Sequence, residues 1–101
     1  MRMTERKPTS VGEILAHEFL EPLDLTQTQL ARQMGVAPRL VNELCRNKRA
    51  ITADTALMLA RVFGNSPQFW LNLQQKQDLW AATHDVKRRE RIEKAKPLVA
   101  A

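Results

Sequence analysis

Apolar residues recur at intervals of three and four along most of the chain, which is the spacing of one face of a helix. The stripes predict five helices, the first from Ser10 to Leu23. Their inner faces are Ile14, Leu15, Phe19 and Leu23; Leu30, Ala31 and Met34; Leu40, Val41 and Leu44; Ala56, Leu57, Leu59, Ala60 and Phe63; and Phe69, Trp70, Leu73, Leu79 and Trp80. No run alternates β-branched and polar residues as a strand does. The pattern therefore predicts an all-α fold.

The segment 26–49 carries the strongest local signals. Thr26 and Gln29 have the spacing of a capping box, which begins a helix. Gly35 suits the left-handed residue that ends this helix, and Pro38 suits the first position of the next. Two short helices joined by a tight turn with glycine are typical of a helix-turn-helix. A helical hairpin in a bundle has the same outline, so the motif needs support from the charge pattern.

Helix-capping and turn residues divide the rest of the chain into further helices. Asn47 suits a left-handed turn after the motif, Thr52 caps a fourth helix, and Ser66 with Pro67 opens a fifth. The predicted organisation is a flexible N-terminal arm at 1–9, a helix-turn-helix domain at 10–82 with helix 2 at about 27–34 and the recognition helix at about 38–46, and a charged C-terminal segment at 83–101. That last segment has three interpretations: an exposed helix, an arm exchanged in a dimer, or a disordered tail.

Positive charge is concentrated on the central motif and at the two ends of the chain. The chain has a net charge of +5 and a pI of about 10.0, which favours an anionic partner. Residues 26–50 hold five cations against Glu43 alone, whereas residues 11–25 hold four acids and no Lys or Arg. This distribution favours a helix-turn-helix that binds DNA over an ordinary helical hairpin.

In a helix-turn-helix the second helix enters the major groove, and its first residues face the base edges. Here those residues are Ala37, Pro38 and Arg39, followed one turn later by Asn42 and Glu43. Arginine suits guanine and asparagine suits adenine, whereas Glu43 either accepts from cytosine or holds a neighbouring arginine in place. The residues that bracket this helix are expected to contact the DNA backbone, namely Gln27, Arg46, Lys48 and Arg49.

The sequence offers no candidate for catalysis, and no cofactor or metal is expected. His17 and His84 lie far apart in sequence, and Cys45 is the only cysteine, so an intrachain disulfide is impossible. Surface or packing roles are the simplest for all three, with redox sensing by Cys45 a remote alternative. No apolar run reaches the 18 residues that a membrane span needs. We expect a cytoplasmic protein that is not an enzyme.

With these residues in view, the chain resembles the HigA/VapI family of antitoxins, which carry an Xre-type, phage-repressor-like helix-turn-helix. The resemblance rests on GEIL at Gly12–Leu15, EFLEPLDLTQTQLA at Glu18–Ala31, ITADTALMLARVFG at Ile51–Gly64, and SPQFWLNLQ with DLW between Ser66 and Trp80. It departs from the family pattern at Val11, Asn47 and Gln77, where the family usually has Pro, often has Gly, and has Tyr, respectively.

The resemblance implies a five-helix fold, a homodimer, repression of the chain's own operon, and neutralisation of a RelE-like HigB toxin that cleaves mRNA. Trp70 and Trp80 are the candidates for the dimer or partner contact, since two tryptophans on one terminal helix exceed what a small core needs. The alternative is a free-standing Xre-type transcriptional repressor without a toxin partner.

Overall fold

The computed structural model describes residues 6–99, which form six helices and no strand. The helices are α1 (Val11–Ile14, continued by a π-helical segment at Leu15–Leu20), α2 (Gln27–Met34), α3 (Pro38–Cys45), α4 (Ala53–Phe63), α5 (Pro67–His84) and α6 (Val86–Glu93). The predicted all-α class is confirmed, with α6 in the segment for which a helix was one interpretation. Residues 1–5 of the predicted arm, and residues 100–101, lie outside the described residues.

Short polar side chains begin the helices where the sequence indicated. Thr26 and Gln29 make both bonds of the capping box, at 3.1 and 2.9 Å. Ser10, Thr52 and Ser66 each accept a hydrogen bond from the backbone N–H three residues later. Pro38 and Pro67 occupy the first turns of α3 and α5. Local sequence therefore sets where these helices begin.

The second half of the first helix winds as a π-helix, which the sequence pattern did not indicate. The backbone N–H of Glu21 donates to the carbonyl of Ala16, five residues back, at 3.1 Å. Each such turn takes in more residues than an α-turn and so rotates the side chains that follow. Leu20 is buried as a result, whereas Leu23 is 61% exposed. The predicted inner position of Leu23 is wrong, as is the predicted helix end at that residue, because the helix ends at Leu20 and Leu23 lies in the turn that follows.

One aromatic cluster joins the first helix to α4 and α5. Trp70 has no exposed surface, and its ring lies 4.8 to 5.9 Å, centroid to centroid, from the rings of Phe19, Phe63 and Phe69. Its indole N–H donates to Asn65 Oδ1 at 2.9 Å, so the only polar atom of the ring is satisfied inside the fold. The other large, fully buried side chains are Leu15, Leu30, Leu44, Leu59 and Val41.

α5 is the longest helix, with 18 residues, but only its first part contributes buried side chains to the core. Leu79 in its later part is 43% exposed, contrary to its predicted place on an inner face. Leu57 of α4 is likewise 54% exposed, because it lies about 100° around the helix from buried Ala56. No helix among residues 6–99 combines the length and the apolar character needed to cross a membrane.

Two glutamines of α5 bond the backbone of other elements. Gln74 Oε1 accepts from the buried N–H of Ile51 at 2.9 Å, and Gln77 Oε1 accepts from the N–H of Val11 at 2.9 Å. Val11 and Gln77 are two of the three departures from the family pattern. A proline at position 11 would have no N–H to donate. The donor that Val11 introduces is therefore satisfied by the acceptor that Gln77 introduces.

Candidate nucleic-acid interface

The turn between α2 and α3 is built by a left-handed glycine. Gly35 has a φ of 74°, and its N–H donates to the carbonyl of Arg32 at 3.2 Å, while the N–H of Val36 donates to Ala31 at 3.0 Å. These bonds close the end of α2 and turn the chain into α3 within three residues. Val41 and Leu44 of α3 are then buried against the core. The opposite side of α3 is left facing outward.

The outer side of α3 presents the residues predicted to read bases. Ala37 and Pro38 are exposed at its start, and the side chain of Arg39 is 86% exposed. Asn42 follows one turn later on the same side and is also exposed. Leu40 between them is half-buried against the core. The structure thus brings together a polar, solvent-facing strip at the amino-terminal half of the helix.

A hydrogen bond joins the two helices across this strip. Asn42 Nδ2 donates to Gln27 Oε1 at 3.1 Å, which sets the start of α2 beside the middle of α3. An asparagine amide has two N–H donors and a carbonyl acceptor. Asn42 therefore keeps one donor and its acceptor for another group while Gln27 fixes its orientation.

Glu43 is held between two arginines. Its Oε1 accepts from Arg49 Nε at 3.1 Å and Nη2 at 2.8 Å, and its Oε2 lies 3.4 Å from Arg39 Nε. The pKa of Glu43 lies below its ordinary value, chiefly because Arg49 donates hydrogen bonds to the carboxylate, with the charges of Arg49 and Arg39 adding to this effect. Of the two roles predicted for Glu43, the geometry matches the one that holds a neighbouring arginine.

The loop after α3 closes the helix with a Schellman motif. Asn47 has a left-handed φ of 58°. Its N–H donates to the carbonyl oxygen of Leu44 at 3.1 Å, and the N–H of Lys48 donates to the carbonyl oxygen of Glu43 at 2.8 Å. Arg46 is the C-cap, so α3 ends at Cys45, one residue before the predicted boundary. Arg46 and Lys48 are exposed on this loop.

Asn47 also fastens the loop to the first helix, a role that sequence reasoning missed. Its Oδ1 accepts from the N–H of Gly12 at 3.0 Å, and its Nδ2 donates to Ser10 Oγ at 2.9 Å. The two helices approach so closely that a Cβ on Gly12 would lie 2.4 Å from the carbonyl oxygen of Cys45. The signal in the sequence was the asparagine where the family often has glycine, since its side chain adds bonds that glycine cannot make.

The two tryptophans have different surroundings. Trp70 is fully buried, so it has no surface to offer a partner, and the predicted partner contact of Trp70 is wrong. Trp80 is half-buried, stacks on His84 at 4.1 Å between centroids, and has Lys7 Nζ 5.8 Å from its ring. Trp80 alone retains surface for such a contact.

The other residues weighed for chemistry have local partners. Cys45 is half-buried, and burial raises the pKa of its thiol, which keeps it protonated and weakly reactive. His17 bonds Glu21 Oε1 at 2.8 Å on the surface of the first helix. No three His, Cys, Asp or Glu side chains between residues 6 and 99 converge as metal ligands would.

A tight helical pair, an outward polar strip on its second helix and a basic loop behind that strip define a helix-turn-helix, the class of fold that reads DNA through the major groove. The family model described as Helix-turn-helix matches residues 17–70, which is more than half of the chain. The chain belongs to this family, in the group that includes the HigA antitoxins.

Known proteins of this group are similar to this chain over most of their own length. An uncharacterized HTH-type transcriptional regulator of Haemophilus influenzae is 44% identical over 95 residues, covering 94% of this chain and 89% of the relative. Antitoxin HigA-1 of Vibrio cholerae is 50% identical over 80 residues, covering 79% of this chain and 75% of the relative. The structure of Pseudomonas aeruginosa antitoxin HigA with the higBA promoter has a TM-score of 0.81 at 40% identity, covering 91% of this chain and 99% of that one.

Proposed function

We propose that the chain binds operator DNA through α3 and represses its own operon. In this proposal Arg39 and Asn42 read base edges, with Ala37 and Pro38 against thymine methyl groups. Glu43 positions Arg39 from behind rather than touching a base, because both of its oxygens already face arginines. Gln27, Arg46, Lys48 and Arg49 bracket the reading strip and contact the DNA backbone, Arg49 while remaining bonded to Glu43.

We propose that two copies of the chain bind one operator. Helix-turn-helix dimers bind half-sites about one helical turn, roughly 34 Å, apart or a multiple of it. We propose a homodimer on a palindromic operator with this spacing, in which Trp80 on α5 takes part in the partner contact. A footprint over one half-site, together with a monomeric mass in solution, would contradict the dimer.

We further propose that the chain is the antitoxin of a type II toxin–antitoxin system and neutralises a HigB-like, mRNA-cleaving toxin in the cytoplasm. The observation that carries this proposal is the 50% identity to Antitoxin HigA-1. It includes no catalytic step by this chain, whose part is to bind the toxin and the operator.

The decisive experiment co-expresses the chain with the product of the adjacent gene. We expect the adjacent product alone to arrest growth, the chain to restore it, and a pull-down to recover both proteins together. An Arg39→Ala variant separates the two roles, since it should lose repression of a promoter fusion yet still restore growth. Failure of the wild-type chain to bind the adjacent product or restore growth would refute the antitoxin proposal and leave DNA binding untouched.

The second candidate is a free-standing Xre-type transcriptional repressor. It is favoured by the match to the uncharacterized HTH-type transcriptional regulator of Haemophilus influenzae, which is 44% identical to this chain over 94% of the chain's length. A neighbouring open reading frame that encodes a short basic protein would favour the antitoxin. Repression of a promoter fusion without any toxic neighbour would favour the free-standing regulator.

A further inference from the structure

α6 is a helix that contributes nothing to the core. None of its residues, Val86 to Glu93, is buried, and the chain remains exposed as far as residue 99. The helix is nevertheless specified locally, because Asp85 caps it by accepting from the N–H of Arg88 at 3.0 Å. An eight-residue helix is marginal in water without packing. Packing in the chain's own core therefore does not account for this helix.

The segment around α6 carries as large a net positive charge as the central motif at 26–50. Residues 86–96 hold six cations against two acids, a net charge of +4 in a chain whose net charge is +5. The cations are Lys87, Arg88, Arg89, Arg91, Lys94 and Lys96. Within the described part of the chain α6 has one ion pair, Arg89 with Glu93 at 3.7 Å. Most of its charge is consequently available to an external anion.

The charges of α6 are sorted by face. At 100° per residue, Lys87, Arg88 and Arg91 share one side, which we call the α6 basic face, whereas Arg89 and Glu93 lie on the opposite side and Glu90 lies between the two, about 60° from Lys87. Lys87 and Arg91 are four residues apart, a like-charged spacing that destabilises a helix by a few tenths of a kcal/mol. Cations in the first turn also oppose the helix dipole. These two effects disfavour the isolated helix, whereas the Arg89–Glu93 pair favours it. An anion bound to the α6 basic face would relieve the repulsion between Lys87 and Arg91.

α6 lies near the continuation of the basic loop that follows α3. A groove of about 550 Å³ runs along α5 and is lined by Ile51 and by Arg88. Ile51 comes two residues after Arg49 in the chain and is anchored to α5 through Gln74. Arg88 in the amino-terminal turn of α6 and Ile51, which follows the basic loop, thus line the same groove.

We infer that the α6 basic face is a second DNA-backbone contact, binding phosphates outside the bases that α3 reads. This inference rests on the proposed DNA-binding function and extends it. Lys87 and Arg91 are separated by about 6 Å along the helix axis, so each of these long side chains can meet a different phosphate. Such contacts carry no base information, so they raise affinity for every duplex alike.

The test compares two variants that lose the same charge. One is Lys87→Gln with Arg91→Gln on the α6 basic face, and the other is Arg61→Gln with Lys76→Gln on the exposed surfaces of α4 and α5. Affinity for a random-sequence duplex of about 30 base pairs is measured by fluorescence anisotropy between about 50 and 200 mM salt. Circular dichroism in the far ultraviolet checks that helix content is retained in both variants.

If each α6 side chain meets one phosphate, the slope of log K against log salt falls by about 1.8 in the α6 variant, since each contact contributes about 0.9. Raising the salt from about 50 to 200 mM would then weaken this variant about 12-fold less than the wild-type chain. The control variant should keep nearly the wild-type slope. The ratio of affinities for the preferred and random duplexes should stay unchanged.

Equal slopes in the two variants would overturn the inference, because net charge alone would then explain the effect. An unchanged slope in the α6 variant would also overturn it, and wild-type-specific binding to phosphatidylserine vesicles would then assign the face to a membrane surface. Failure of the helix-turn-helix proposal has a different signature: the wild-type chain would show no preferred duplex, and Arg39→Ala would have no effect on any duplex.

Discussion

Replacing Gly12 by alanine should separate the first helix from α3 and disturb the loop that we place on DNA. A Cβ at position 12 would lie 2.4 Å from the carbonyl oxygen of Cys45 and 2.7 Å from that of Leu44. Both are backbone atoms, so no side-chain rotation relieves the contact. Ordinary contact requires more than 3.4 Å, which means that the two helices must move apart by about 1 Å.

The cost follows from what this movement disrupts. Overpacking of this kind costs about 1–3 kcal/mol. The same movement stretches two hydrogen bonds, Gly12 N–H to Asn47 at 3.0 Å and Asn47 to Ser10 at 2.9 Å. Each is worth about 1 kcal/mol, while alanine returns up to about 1 kcal/mol through its higher helix propensity. We expect Gly12→Ala to lower the free energy of unfolding by about 2–4 kcal/mol, and Tm by at least about 8 °C.

Thermal and urea unfolding measure this loss, and Gly35→Ala is the matched control. A Cβ on Gly35 would have no neighbour within 4 Å, so the cost of this variant is that of the left-handed φ of 74°, about 1–2 kcal/mol. The side-chain amide resonances of Asn47 should shift in Gly12→Ala and stay unchanged in Gly35→Ala. A Gly12→Ala protein no less stable than Gly35→Ala, with Asn47 resonances in place, would refute the reasoning.

Three further predictions concern the proposed DNA-binding strip. Arg39→Ala should cost about 1–3 kcal/mol on the preferred duplex and relax preference at one base pair, and equal losses on preferred and random duplexes would remove Arg39 from base reading. Lys48→Ala should weaken binding to all duplexes alike and lower the salt slope by about 0.9, whereas an unchanged slope would exclude a phosphate contact. The carboxyl of Glu43, followed by NMR, should titrate below an ordinary glutamate, and Arg49→Gln should raise its midpoint, because Arg49 is the main cause of the lowered pKa. Because the pKa of Glu43 is lower in the folded chain than in the unfolded chain, the interaction of Glu43 with Arg49 stabilises the fold above the unfolded pKa. This stabilisation is lost as pH falls through the folded pKa. A midpoint unmoved by Arg49→Gln would contradict the assigned cause.

Helix class and most helix boundaries could be predicted because they depend on neighbours in the chain. The capping box of Thr26 and Gln29, the prolines at the starts of α3 and α5, and the left-handed Gly35 and Asn47 act over three or four residues. The outward strip of α3 could also be predicted, because the burial of Val41 and Leu44 determines which side of that helix faces out.

The errors arose where a residue's surroundings come from distant parts of the chain. Trp70 could not be told from an interface tryptophan by spacing, because its burial depends on Phe19 and Phe63 from two other helices. Leu23 was misplaced because the first helix ends at Leu20, which leaves Leu23 in a turn where the helical spacing no longer applies.

The sequence by itself thus determined an all-α chain with a helix-turn-helix and the set of polar residues on its second helix, since these depend on local periodicity and capping. Only the tertiary structure decided how those residues are used. It turns Glu43 toward Arg49 and Arg39, sets Asn42 against Gln27, and fastens Asn47 to the first helix. The physical reason is that a side-chain hydrogen bond depends on the distance between its two atoms in space. Between residues of different helices, the spacing along the chain does not determine that distance.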